Sequence, residues 1–191
     1  QAQARILAML LLTLKGTAFF FMGDELGTER GKIPDEMVQD PFEKLVGGYG
    51  LNRDPERVPM RWDATRNGGF TAGVPWLTMG TSSCRNVSDL QKDDNSILQL
   101  YRELIRLRKE TPAFHSGDYA PLRSRNDVFR YERFAAGGKF AVALNLTHEP
   151  RRIDLAGDGD IALSTHLDRK NVPVAGSLLL RPDEGVIVRL R

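Results

Sequence analysis

The sequence has 191 residues, 41% of them hydrophobic and 27% charged, enough apolar side chain to bury a core in one large domain or two small ones. Its 27 Lys and Arg against 25 Asp and Glu leave a formal charge of +2, too small an imbalance for a phosphate-tracking face, so no nucleic-acid partner is expected. A single cysteine, Cys84, allows no intrachain disulfide, and His115, His148 and His166 lack the spacing of a zinc or haem site, so no metal and no cofactor are expected.

The run from Arg5 to Leu14 places a basic residue before a short apolar stretch, as a secretory leader does. Lys15-Gly16 ends it, however, no small-residue cleavage site follows, and apolar residues resume at Ala18, which argues against a leader. It also falls short of the roughly 20 apolar residues that a membrane span needs. No membrane partner and a cytoplasmic location are expected. Because the chain opens on Gln1, already inside a helical pattern, it is expected to be cut from something longer.

Residues 1–15, rich in Ala, Leu and Met and apolar nearly all round, read as a buried helix with Gly16 as its C-terminal cap. Ala18-Phe19-Phe20-Phe21-Met22 is a continuous apolar run bounded by Gly23, the pattern of a strand buried on both faces of a parallel sheet. Residues 24–94 carry Gly, Pro, Asp and Asn punctuation without a sustained period; the embedded Phe42, Tyr49, Trp62, Phe70 and Trp76 mark the span as an ordered loop rather than a disordered one. Periodicity returns over Asp94–Glu110, where Ile97, Leu100, Tyr101, Leu104, Ile105 and Leu107 form one stripe and Thr111-Pro112 stops the helix. Its basic residues Arg102, Arg106, Arg108 and Lys109 read as a solvated face near the negative end of the helix dipole. Beyond Gly117, short runs such as Val128–Phe134, Lys139–Asn145, Ile161–Leu163, Ser177–Leu180 and Val186–Leu190, separated by turn residues, describe antiparallel hairpins in a small all-β domain.

Asp24-Glu25 follow the apolar run where α/β proteins place their sites. Neighbours on an extended chain point to opposite faces, so the two cannot flank one bond together; one faces a pocket at most, and fixing the loop is the alternative. Gly47-Gly48-Tyr49-Gly50 lacks the Lys-Ser/Thr of a phosphate loop and reads as a turn. Asn86-Val87-Ser88 and Asn145-Leu146-Thr147 fit the glycosylation triplet, but the triplet is common by chance and no sugar is assigned. The segment Arg53-Asp54-Pro55-Glu56-Arg57-Val58-Pro59-Met60-Arg61-Trp62-Asp63 stands out. Proline stiffens it, Trp62 is expected to anchor it, and the guanidinium forks suit carboxylates or sugar hydroxyls, either as a binding element or as a structural ion-pair network.

That segment, together with Leu11–Gly27, Asp40-Pro41-Phe42-Glu43, Asn67-Gly68-Gly69-Phe70 and Leu100–Lys109, resembles the carboxyl-terminal part of the α-amylase superfamily, glycoside hydrolase family 13, in its α-glucosidase and oligo-1,6-glucosidase branch. The resemblance implies an α+β fragment: the last helix–strand–helix elements of a (β/α)8 TIM barrel with a long βα insertion over residues 1–116, then an antiparallel β-sandwich over residues 117–191. It further implies retaining chemistry at an α-glucosidic bond, with an Asp nucleophile, a Glu acid/base and a sugar-binding Asp, all on strands that would precede residue 1. No catalytic residue is therefore assigned within the chain. Arg53 matches the substrate-binding arginine that in exo-acting members pairs with an upstream Asp at the pocket floor, while Arg57 and Asp63 are expected to hold the loop. Lys15, Ala18, Val58 and Arg61 depart from common family residues without disturbing the pattern. The chain alone is expected to be inactive and to self-associate through its exposed apolar remnant, with an α-glucoside or oligosaccharide as the parent's substrate. A stand-alone carbohydrate-binding or interaction module, or a parent acting as a glucosyl transferase or isomerase, are the alternatives.

Overall fold

The computed structural model describes residues 2–79, 85–124 and 126–191; Cys84 lies outside the described residues. The chain divides into two compact units, one formed by residues 1–19 and 99–191, the other by residues 20–98.

The first unit is built on a six-stranded antiparallel sheet. Its strands are β1 (Asp118–Pro121), β2 (Val128–Ala135), β3 (Gly138–Asn145), β5 (Gly159–Ser164), β6 (Val172–Val174) and β8 (Gly185–Leu190), in the order β1-β2-β3-β8-β5-β6. A second sheet pairs β4 (Arg151–Asp154) with β7 (Ser177–Leu180). The expected hairpin between the second and third strands is present: Ala135 pairs with Gly138, and the turn between them is made by Gly137 at φ +101°, a conformation that costs glycine little. Both outer strands of the large sheet carry a proline, Pro121 and Pro173, which blunts the edges against further pairing.

Alternation along the strands decides the layers. Val128, Ala141, Ala143, Ile161, Val186 and Val188 from the large sheet meet Ile153, Leu178 and Leu180 from the small one in a single apolar cluster. The intervening residues face the opposite side, where Phe140 packs on Phe114 of helix α5 (Pro112–His115) with ring centroids 5.0 Å apart. Because both faces of β3 are covered, it reads as a continuous apolar run from Phe140 to Leu144 rather than as an alternating one.

Helix α1 (Ala2–Thr13) lies on that opposite side and buries Ile6, Ala8, Met9 and Leu12. A Cβ on Gly185 would stand 2.9 Å from Met9 Sδ and 2.8 Å from Leu144 Cδ2, so a larger residue there would have to push these side chains aside. The carbonyl end of α1 is closed by two arginines. Arg108, in helix α4 (Ile97–Glu110), donates to Leu12 O at 2.8 Å and to Leu14 O at 3.1 Å, while Arg133 of β2 donates to Thr13 O. Arg108 therefore departs from the solvated role expected of it. Its guanidinium caps a neighbouring helix, an interaction that amphipathic periodicity cannot reveal.

The second unit is mostly irregular, as expected, and is held by turns and by contacts between distant segments, such as Thr78 to Lys32 O at 3.1 Å and Arg85 to Glu29 at 2.9 Å. It contains the short helices α2 (Pro41–Leu45) and α3 (Val87–Leu90) and several 3-10 turns. The expected strand over Ala18–Met22 is not formed: among the described residues the run joins no sheet. Phe19 is 81% exposed, and Phe20, Phe21 and Met22 are exposed as well. A parallel strand exists only through its neighbours' backbone groups, and the described residues supply none. Neither glycosylation triplet presents a free amide. Asn145 Nδ2 donates to Glu149 O and Arg181 O at 2.7 and 2.8 Å, and Asn86 Nδ2 donates to Asp89 Oδ2 at 2.7 Å. No helix among the described residues is long and apolar enough to cross a membrane.

Candidate functional site

The second unit contains a cleft of 380 Å³ whose walls include Phe21, Met22, Asp24, Arg53, Arg57 and Met60. The rim at Gly23 is set by the two adjacent acids. Asp24 Oδ2 accepts the amide of Phe21 at 2.8 Å, and Glu25 Oε2 accepts that of Gly23 at 2.9 Å. Both carboxylates thus fix the loop, and Asp24 also lines the cleft.

Arg53 is positioned from the backbone outward. Asp54-Pro55-Glu56 forms a single 3-10 turn with Arg53 before it and Arg57 after it, with proline supplying the fixed φ that opens such a turn. Asp54 is fully buried; its Oδ2 accepts the amides of Gln39 and Asp40 at 2.6 and 2.8 Å, and its own amide donates to Asn52 Oδ1 at 2.9 Å. These bonds bring residues 39–40 against residues 52–54.

The consequence is a two-point ion pair. Arg53 Nε donates to Asp40 Oδ2 at 2.9 Å and Arg53 Nη2 to Asp40 Oδ1 at 2.6 Å, while the Arg53 amide donates to Oδ2 at 2.9 Å. Asp40 also caps α2 by accepting the Phe42 amide at 3.1 Å. Its side chain is wholly buried, whereas that of Arg53 is 58% exposed, so the carboxylate is enclosed in the protein and the guanidinium faces outward. The side-chain hydrogen bonds from Arg53 hold the Asp40 carboxyl well below the usual carboxylate range, and the same bonds raise Arg53 further above its ordinary value. A side-on fork of this kind uses one edge of the guanidinium and fixes its plane.

The sequence pointed to Arg53 but missed its partner within the chain, Asp40. The available signal was Asp40 directly before Pro41, the pattern of a helix cap with proline at the first helical position. Asp63 holds its loop as expected, accepting the Thr65 amide at 2.8 Å. Trp62 is half exposed and is no anchor within this unit. Arg57 does not brace the loop either: its guanidinium makes no hydrogen bond or ion pair with another described residue. Among the described residues no group of side chains could hold a metal ion.

The family model described as alpha amylase, catalytic domain, matches residues 1–117. The chain belongs to the alpha-amylase family. Relatives within it include the oligo-1,6-glucosidase of Halalkalibacterium halodurans, 35% identical over 74% of this chain and 29% of that protein. The trehalose-6-phosphate hydrolase of Escherichia coli is 31% identical over 96% of this chain and 37% of its own length. The crystal structure of trehalulose synthase from Pseudomonas mesoacidophila MX-45 superposes on the whole chain with a TM-score of 0.87 at 30% identity, covering 38% of that protein. This alpha-amylase family chain thus spans between 29% and 38% of the length of these relatives.

Proposed function

We propose that the chain is the carboxyl-terminal portion of a retaining α-glucoside hydrolase that acts on terminal α-glucosidic bonds in carbohydrate metabolism, with Arg53 as its substrate-binding residue. In this reading residues 1–116 complete the catalytic (β/α)8 barrel and residues 117–191 form the β-sandwich that trails it. The run Ala18–Met22 becomes a barrel strand once flanking strands supply backbone partners; the exposure of Phe19 to Phe21 supports this. The nucleophile, the acid/base and the third carboxylate belong to strands that this chain does not contain, and a cytoplasmic location goes with this reading.

The observation that carries the proposal is the Arg53–Asp40 pair at the edge of the cleft. A guanidinium held by one edge on a buried carboxylate presents its remaining N–H groups in a fixed plane, which suits it to closing one end of a glucose-sized pocket and to donating to sugar hydroxyls. A second reading, glucosyl transfer or isomerisation by the parent, is supported by the likeness to trehalulose synthase along the full chain.

The test is direct. The 191-residue chain is incubated with maltose, isomaltose and a chromogenic α-glucoside, and no hydrolysis above the uncatalysed rate is expected. Turnover that survives repurification would overturn the assignment of the catalytic carboxylates to elements outside the chain.

A further inference from the structure

We infer that Arg57 is a second ligand-binding residue of the cleft, donating alongside Arg53 to the vicinal hydroxyls of a neutral sugar; this rests on the α-glucoside reading above and adds a contact to it. Arg53 and Arg57 flank the same 3-10 turn and both line the cleft. Their surroundings differ. Arg53 is matched by Asp40, and Arg30, a third arginine on the wall, pairs with Glu56 at 2.6 Å. The Arg57 side chain engages no described residue, although its backbone is tightly held. Its amide donates to Asp54 O at 2.9 Å, Gly31 donates to Pro55 O at 3.0 Å, and the following Val58 is buried. Fixed backbone on both sides of an unengaged, half-buried guanidinium at a cleft wall is the arrangement of a donor kept for a ligand.

The chemistry of the wall selects the ligand. Three lining guanidiniums face three lining carboxylates, those of Asp24, Glu29 and Glu56. Glu29 is taken by Arg85 at 2.9 Å, and Asp24 by the Phe21 amide. The wall therefore carries no net charge to attract an anion, while Phe21 and Met60 offer apolar surface for the C–H face of a pyranose. A guanidinium edge spans two adjacent hydroxyls as it spans two carboxylate oxygens.

The experiment follows the Nε–Hε signals of the 15N-labelled 191-residue chain during titration with methyl α-D-glucopyranoside, with Arg57→Gln and Arg53→Gln used for assignment. The signals of Arg53 and Arg57 should move together along one saturable curve. Arg57→Gln should weaken the apparent Kd about tenfold, the loss of one charge-assisted hydrogen bond pair, with an unchanged thermal midpoint. An Arg57 signal that stays still while Arg53 responds, or unchanged affinity in Arg57→Gln, overturns this inference and leaves the proposed function standing. Silence from both arginines overturns this inference and the substrate-binding role proposed for Arg53. A response of Arg57 to inorganic phosphate but not to the glucoside overturns the neutral-sugar assignment. Because the wild-type signal of Arg57 is itself a readout, the test survives a variant that folds poorly.

Discussion

Arg53 Nη2 lies 2.6 Å from Asp40 Oδ1, with the carboxylate enclosed and the guanidinium outside. The folded pKa of Asp40 is held below its unfolded value by the hydrogen bonds from Arg53, so the stabilisation from this pair is fully present above the unfolded value near 4 and is lost as pH falls through the folded value. Carboxyl 13C shifts should show Asp40 still ionised where ordinary aspartates have taken up their protons. Asp40→Asn should move the acid unfolding of the second unit to higher pH; an acid limb identical to wild type would show that Asp40 does not carry the pair energetically.

Arg133 is 1% exposed and satisfies carbonyls rather than a carboxylate, donating to Thr13 O, to Gly117 O at 3.1 Å and to Asp118 O at 3.1 Å. Truncating it leaves buried acceptors without donors, each costing about 1–3 kcal/mol, so Arg133→Met should lose about 3 kcal/mol or more in urea unfolding of the first unit. Arg108→Ala, which removes a half-buried cap, should cost about 1–2 kcal/mol. The double variant should fall short of the sum of the two, because both arginines serve the same helix end.

How far the sequence carried the fold depended on whether the decisive interactions were local. The stripe of Ile97, Leu100, Tyr101 and Leu104 predicts helix α4, and the glycines at 137 and 138 predict the β2–β3 hairpin; both depend on neighbours a few residues away and both are present. The run Ala18–Met22 has the composition of a buried strand but no partner strand among the described residues, and composition cannot supply one. The same holds at the site. Arg53 was legible because proline and arginine spacing is local, whereas Asp40 lies 13 residues earlier and is brought in by the buried carboxylate of Asp54. Arg108 and Arg133 were misread or unread because capping a distant helix leaves no periodic trace.

Tyr131 and Thr13 form a buried bond of 2.5 Å, and Thr13 Oγ1 already donates its proton to Met9 O at 2.6 Å, so the phenol is the donor. Burial pushes the Tyr131 phenol up to about 12. A folded value above the unfolded one near 10 means that its contribution is intact below pH 10 and disappears as pH rises towards 12. Ultraviolet titration should show one tyrosine ionising about two pH units late, and Tyr131→Phe should remove that late step. The same variant should cost about 1 kcal/mol at neutral pH, the net worth of one hydrogen bond, measured by urea unfolding.

The exposed aromatic rings of the run Phe19-Phe20-Phe21 lead to a prediction about the chain in solution. Isolated exposed apolar residues are ordinary, but three consecutive phenylalanines beside Met22, all exposed, amount to apolar surface of the kind that soluble monomers cover. Sedimentation velocity should therefore show a mass that rises with protein concentration. Phe19→Ser combined with Phe21→Ser should return the chain towards the monomer without lowering its thermal midpoint, because neither ring is buried in the unit to which it belongs. Self-association that persists in the double variant would place the contact elsewhere. A monomer at every concentration in the unaltered chain would show that this surface is too small to drive association.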